Sequence, residues 1–256
     1  MNILDEIVLN TKSKLEAKKL ETPLEELISR VNKLKIEKSN FKENLVLKDQ
    51  AIIAEIKKAS PSAGIISEDF NPVAKAKEYE SFGASALSIL TEEDFFLGSI
   101  EYLIDVKAIS NIPILRKDFI VDEYQIYESK LIGADCILLI VSILSDDELN
   151  RFTKLADSLG LDFIIEVHDE EELTRIEDFS NAIIGVNNRD LKTFEVNIEN
   201  SIRLRNFFKK DNIFVAESGI KNLKDIDKLS KHNINVFLIG ESLMKGDFFF
   251  FFFIGK

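Results

Sequence analysis

The sequence predicts an α/β fold, a TIM (β/α)8 barrel with an N-terminal helical extension and an atypical, incomplete C-terminal helix. Three observations predict it. Eight apolar runs of strand length recur along the chain, ending near Glu55, Leu90, Lys117, Ile140, Glu166, Asn187, Glu217 and Gly240. Successive ends lie between 21 residues (Glu166 to Asn187) and 35 residues (Glu55 to Leu90) apart, about one strand, one helix and two loops. Four runs meet a charge at their end, at Glu55, Lys117, Glu166 and Glu217, although parallel strands buried on both faces read as apolar throughout and an isolated buried ion is costly. One such charge could be a local ion pair; four at strand ends point to a common mouth. An open doubly wound sheet also alternates strands and helices, but eight units with polar ends favour the closed barrel.

The elements follow in order. Thr22-Pro23-Leu24-Glu25 reads as an N-cap threonine, a proline at the first helical position and a glutamate placed for a capping box, ahead of Leu27, Ile28, Val31 and Leu34 at helical spacing. Residues 35–48 are charged and weakly periodic, as a connector would be, and the barrel begins near Gln50. Asn71-Pro72 starts a helix that passes through Gly83-Ala84-Ser85 into the strand Ala86 to Leu90. The joint returns at Gly133-Ala134-Asp135 and Gly160-Leu161-Asp162, each glycine standing where a helix ends with positive φ. Asn181 and Asn233 are expected to do the same, since asparagine tolerates the left-handed region.

One domain is expected over residues 1–256, with 1–48 as the helical extension, 49–246 as the barrel and 247–256 as a Phe-rich tail. In that tail, where an amphipathic eighth helix should close the outer ring, Gly246-Asp247 is followed by six phenylalanines, Phe248 to Phe253. The run has no helical stripe, is poorly soluble unless buried, and is too short to span a bilayer. A monomer is expected, with self-association through this tail, or reduced stability, as its consequence.

Composition narrows the partners. With 33 basic and 45 acidic residues the net charge is −12, which opposes a phosphate-backbone footprint and suits work on small molecules; no nucleic acid is expected. Cys136, the single cysteine, excludes an internal disulfide and fits a reducing, cytoplasmic setting as a small packed apolar group. The N-terminus carries Asp5 and Glu6 where a secretory signal would be basic, and no apolar run reaches membrane-spanning length. His168 and His232 share no metal-ligand spacing with each other or with Cys136, so no metal site is expected and both are placed on polar loops or helix ends.

Neither G-x-G-x-x-G nor the P-loop pattern occurs, which leaves nicotinamide, flavin and ATP chemistry without sequence support. Phosphate could be held elsewhere: Glu217-Ser218-Gly219-Ile220 and Ile239-Gly240-Glu241-Ser242 place small residues just past strands seven and eight, where barrels commonly bind it. Such glycines are also ordinary turn residues.

The stretch Ala54-Glu55-Ile56-Lys57-Lys58-Ala59-Ser60-Pro61-Ser62, taken with Leu87-Ser88-Ile89-Leu90-Thr91-Glu92, Leu115-Arg116-Lys117-Asp118-Phe119, Ile165-Glu166-Val167, Gly185-Val186-Asn187-Asn188-Arg189-Asp190-Leu191, Ala216-Glu217-Ser218-Gly219-Ile220 and Leu238-Ile239-Gly240-Glu241-Ser242-Leu243-Met244, closely resembles the indole-3-glycerol phosphate synthase family. Seven motifs fall in order, each at a predicted strand end, from the helical extension to about Met244. The resemblance implies a carboxy-lyase of tryptophan biosynthesis that closes the pyrrole ring of 1-(o-carboxyphenylamino)-1-deoxyribulose 5-phosphate with loss of carbon dioxide and water, without a cofactor.

On the same resemblance, Lys117 matches the general acid and Glu166 the base of the dehydration. Lys57 matches a second lysine that contacts the substrate carboxylate or phosphate, with an acid role open to it in ring closure or dehydration. Glu55 and Glu217 would orient the lysines and the ribulose hydroxyls, and Asn187 would hydrogen-bond a hydroxyl and the glutamate. Ser60, Ser218, Gly219, Gly240 and the backbone at Glu241 would hold the phosphate, with Glu241 departing from the small residue often found there. Phe96 resembles the aromatic that packs on the anthranilate ring; an apolar loop anchor is its alternative. Without the resemblance, Lys117 beside Asp118 or Arg116 near a carboxylate would read as a surface pair at a loop, Arg189-Asp190 as a structural ion pair at the mouth, and Asn187 as a turn cap. A sister barrel such as phosphoribosylanthranilate isomerase leaves Glu55, Lys57 and the extension without explanation together, and intact Lys117 and Glu166 argue against a silent binding barrel.

Overall fold

The computed structural model describes residues 3–190 and 193–246; the Phe-rich tail over 247–256 lies outside the described residues, as does Leu191 of the fifth motif. Eight parallel strands close on themselves: β1 (Ala51–Ile56), β2 (Ala86–Leu90), β3 (Ile114–Lys117), β4 (Cys136–Ile140), β5 (Asp162–Val167), β6 (Ile183–Asn187), β7 (Phe214–Glu217) and β8 (Val236–Ile239). The ring closes where β1 pairs with β8, Ala51 opposite Val236, and with β2, Ile53 opposite Ala86.

Each strand is buried on both faces, and the period of two sorts its residues into two cores. Ile53, Leu115, Leu138, Ile164, Val215 and Leu238 point into the barrel. Ile52, Leu87, Ile137, Ile165, Ile184 and Phe237 point outward, against the helices. The same parity carries Glu55, Leu90, Lys117, Ile140, Glu166, Asn187, Glu217 and Gly240 inward at the C-terminal rim. The ends legible in the sequence are therefore the residues that line the mouth.

The helices start where local chemistry starts them. In α4 (Pro72–Ser81) the Asn71 side chain accepts from Ala74 N with proline at the first helical position, and in α7 (Asp146–Ser158) Ser145 and Glu148 form a capping box. Gly83, Gly133 and Gly160 have φ of 85°, 88° and 68°, and Asn233 has 60°. Asn181 does not follow: the chain turns there on a hydrogen bond from Ala182 N to Phe179 O, and no left-handed residue is needed.

The extension departs from its expected details. Helix α1 (Ile3–Glu21) precedes α2 (Leu24–Val31), whose N-cap position is Pro23 in extended conformation, ψ 152°, with no side-chain cap. Starting one residue late leaves Thr22 outside the helix, so the predicted capping box does not form. The helix also ends before Leu34, which is exposed. The 35–48 connector is not a bare link: it contains the short α3 (Phe41–Asn44), and Phe41 and Leu45 are buried in the inner core below β1. These two side chains close the barrel floor.

Helix α1 is fastened across the other end. Lys14 pairs with Glu93 at 2.8 Å and with Asp94 at 2.6 Å, Lys18 with Glu128 at 3.1 Å, and Lys19 with Asp122 at 2.7 Å. Each exposed pair contributes little alone, but together they set the helix in register with the loops after β2 and β3. Its Ile3, Leu4 and Ile7 then border the mouth of the barrel. No helix among the described residues is long and apolar enough to cross a membrane.

Candidate active site

A cavity of about 880 Å³ opens at the C-terminal rim and takes in all eight inward strand ends, the size range of a small-molecule site. Its floor is a cluster of charges. Lys117 Nζ sits between Glu217 Oε2, in a short contact, and Glu166 Oε2 at 3.4 Å. Lys57 Nζ lies 2.5 Å from Glu55 Oε1. Asn187 Nδ2 donates to Glu166 Oε1 at 3.2 Å, while its Oδ1 accepts from Arg189 N. The structure thus brings together Glu55, Lys57, Lys117, Glu166, Asn187 and Glu217.

Burial opposes the charge on Lys117, but Glu217, Glu166 and Glu55 outweigh it and hold the ammonium protonated well above the usual lysine range. Burial likewise opposes ionisation of Glu166, yet Lys117, His168 and the Asn187 amide keep its carboxyl below the ordinary value. Glu217 goes the other way. Burial, together with the nearby charges of Glu166 and Glu55, wins over the attraction of Lys117 and pushes it up to about 7. Two buried carboxylates thus differ in readiness to ionise, the arrangement that separates base from proton holder.

Two glycines make room for this floor. A Cβ on Gly185 would overlap the Glu217 carboxylate, and one on Gly240 would overlap that of Glu55. Gly240 was expected at the phosphate; in the structure its lack of a side chain also makes space for a carboxylate of the neighbouring strand.

Ser60, Phe96, Ser218, Gly219, Gly240 and Glu241 all border the same cavity. Ser218 and Gly219 are consecutive left-handed residues, φ 66° and 82°, which turn the loop after β7 into the mouth. Phe96 stacks on Phe119 with ring centroids 5.9 Å apart. Its loop is tied down by the buried Glu92 carboxylate, which accepts from the backbone N–H of Asp94, Phe95 and Phe96 at 3.1, 2.7 and 3.0 Å. Glu241, heading the four-residue α11 (Glu241–Met244), pairs with Lys245 at 2.6 Å and faces Arg189 at 3.8 Å.

Several members were missed or misplaced by sequence. Arg189 borders the cavity and faces Glu241, and its guanidinium also donates to Phe194 O; Lys245 borders the cavity too. Arg116 is no surface residue: facing outward from β3, it is 2% exposed and bound to Asp118 at 2.9 Å and Glu128 at 2.7 Å. Asp118 therefore serves Arg116 rather than Lys117. His168 lies in the loop between β5 and the next helix, as expected, but its ring is turned in behind Glu166 and is only 18% exposed. Only its place two residues after Glu166, on the same strand parity, hinted at this. Among the described residues no group of His, Cys, Asp or Glu is placed to hold a metal ion, and Cys136 is buried.

A family model described as indole-3-glycerol phosphate synthase matches residues 4–248. The indole-3-glycerol phosphate synthase of Ruminiclostridium cellulolyticum is 50% identical over 245 residues, covering 95% of this chain and 94% of that protein. That of Clostridium acetobutylicum is 49% identical over 243 residues, covering 95% and 92%. Among solved structures, a chain of the tryptophan synthase complex from Pyrococcus furiosus superposes with a TM-score of 0.56 at 16% identity, covering 77% of this chain and 88% of its own, which shows the shared fold alone. With its barrel, its helical extension and near-complete coverage at half identity, this chain belongs to the indole-3-glycerol phosphate synthase family.

Proposed function

We propose that the cavity closes the indole ring of 1-(o-carboxyphenylamino)-1-deoxyribulose 5-phosphate, with Lys117 as general acid and Glu166 as base. The observation that carries the assignment is the position of Lys117 Nζ, a buried cation between Glu166 and Glu217 on the floor of the mouth. The aromatic carbon bearing the carboxylate attacks the ketone carbon, and Lys117 donates a proton to the ketone oxygen as charge develops there. Loss of carbon dioxide returns its bonding pair to the ring. Glu166, ionised, then takes a carbon-bound proton of the new five-membered ring while the hydroxyl leaves as water with a second proton. Overall, one proton is taken up and carbon dioxide and water are released.

Lys57, held by Glu55 at 2.5 Å, stands apart from the Lys117 group and supplies either the cation that meets the substrate carboxylate or phosphate, or the proton for the leaving hydroxyl. Asn187 and Glu217 orient Glu166 and Lys117 and reach the ribulose hydroxyls. Phe96 packs on the anthranilate ring. The phosphate lies against Ser60, Ser218, Gly219, Gly240 and the backbone N–H of Glu241. These loops follow β1, β7 and β8, on the side of the mouth that also carries Arg189 and Lys245.

The test is indole-product fluorescence from the parent, Lys117→Ala and Glu166→Gln. Product from the parent, with kcat reduced about 10²–10⁴-fold in each variant, supports the roles; undiminished turnover in either one overturns that role. Measured binding without turnover in a folded parent favours a silent barrel.

The working form is a cytoplasmic monomer in this reading, and the Phe-rich tail is its source of self-association. Removing residues 247–256 should leave the sedimentation coefficient concentration-independent; concentration-dependent sedimentation that persists after removal counts against the tail.

A further inference from the structure

We propose that His168 is a positioning residue for the reaction, an imidazolium clamp that Glu172 holds against the back of the Glu166 carboxylate. The assignment rests on the reading of Glu166 as base. His168 follows β5 and does not border the cavity, so it acts on substrate only through its neighbour. Its ring lies in a line of acceptors. Nδ1 is 3.1 Å from Glu172 Oε2, at the first turns of α8 (Glu170–Arg175), and the same oxygen accepts the His168 backbone N–H at 2.7 Å. At the far edge Nε2 is 3.5 Å from Glu166 Oε1 and has no hydrogen-bond partner among the described residues.

That arrangement selects a protonation state. A neutral imidazole donates from one nitrogen only. With Nδ1–H spent on Glu172, a neutral ring would turn the lone pair of buried Nε2 toward a carboxylate oxygen, two acceptors facing each other. The imidazolium donates at both edges and removes the conflict. Burial works against the charge on His168, and Glu172, Glu166 and Glu217 overcome it, leaving its pKa raised.

The charged groups around it are consistent with this state. Glu166 faces it from its own strand, Glu172 from α8 and Glu217 from β7, while Lys117 of β3 holds the other oxygen of Glu166. From α9 (Glu199–Phe207), Asn200 Nδ2 donates to the His168 carbonyl at 2.9 Å and fixes the backbone. Glu166 is therefore gripped on Oε2 by Lys117 and on Oε1 by Asn187 and His168. The His168 charge keeps that carboxylate ionised within the turnover, after Lys117 has given up its proton in ring closure and before Glu166 acts as base.

The test is the pH dependence of kcat in His168→Gln and Glu172→Gln, beside the parent and Glu166→Gln. His168→Gln keeps a neutral N–H donor near Glu166 but cannot carry charge. Expected is an acidic limb displaced upward by about one pH unit, so that kcat on that limb is about tenfold lower while KM changes less than about threefold and kcat above the limb stays near the parent's. Glu172→Gln, which leaves the histidine in place and stands if His168→Gln folds poorly, should displace the limb in the same direction. Profiles that superimpose on the parent in the variants that fold overturn the clamp. Activity retained in Glu166→Gln defeats the reading of the base itself, whereas an inactive Glu166→Gln beside a parental profile in His168→Gln defeats this inference alone.

Discussion

Gly185 and Glu217 share one space: the glycine on β6 leaves open the volume that the Glu217 carboxylate of β7 occupies, and any Cβ there would overlap Oε1. The lysine at the centre of the site is thus held in place by a side chain that is missing. Gly185→Ala must push Glu217 away from Lys117 or open the β6–β7 pairing. Overpacking of this kind costs about 1–3 kcal/mol. The expected outcome is a folded protein with Tm lowered by several degrees and kcat reduced at least about tenfold. A variant with parental Tm and kcat would show that Glu217 has a second, equally good position.

Glu217 also predicts a dependence of stability on pH. Its carboxyl is pushed from the ordinary value of 4.5 up to about 7, chiefly by burial. Between those values the folded protein binds more protons at this position than the unfolded chain, so the contribution of Glu217 to stability is present at low pH and is lost as pH rises toward 7. Glu217→Gln removes the titration. Its stability should therefore change less between pH 4.5 and pH 8 than the parent's, on top of a pH-independent loss from leaving buried Lys117 without this partner, and kcat should fall because Lys117 loses its orienting partner. Thermal unfolding at the two pH values measures the sign directly.

Arg116 supports the site from the outside of the barrel. Its guanidinium is buried with Asp118 and Glu128 and also donates to Thr91 Oγ1, Gln125 O and Ser129 Oγ. Arg116→Met keeps the stem but leaves two carboxylates facing an apolar group. Breaking a buried pair in this way costs about 3–5 kcal/mol. Chemical denaturation should report a loss of that size; a loss below about 1 kcal/mol would mean that Asp118 and Glu128 find water instead.

Glu241 places a negative charge where the substrate phosphate is proposed to bind. Lys245 foremost, then Lys57 and Arg189, hold its carboxyl below the usual range, so it is ionised at neutral pH. Glu241→Ser should free those cations for phosphate and lower KM about 2–5-fold, the worth of a partly exposed ion pair, with kcat unchanged. The gain should shrink in high salt. An increased KM would assign the Glu241 side chain, and not only its backbone, to substrate binding.

What was legible in the sequence was what local chemistry specifies. The apolar runs, the Gly83, Gly133 and Gly160 joints and the Asn71-Pro72 start each depend on a few neighbouring residues, and a period of two carries every predicted strand end to one rim. Where a neighbour could override a propensity, the reading failed: Pro23 took the cap position expected of Thr22, and a tight turn replaced the left-handed Asn181. The tertiary structure decided what depends on distant chain segments meeting. Phe41 became the floor of the barrel, Ile3, Leu4 and Ile7 a border of the mouth, and Arg116 a buried ion although it adjoins Lys117 in the chain. Lys117 and Glu217 are 100 residues apart in sequence and in contact in space. The sequence by itself determined which residues stand at the ends of strands, because turn chemistry and periodicity are local; only barrel closure decided which of them touch, because burial and charge pairing are set by the whole ring at once.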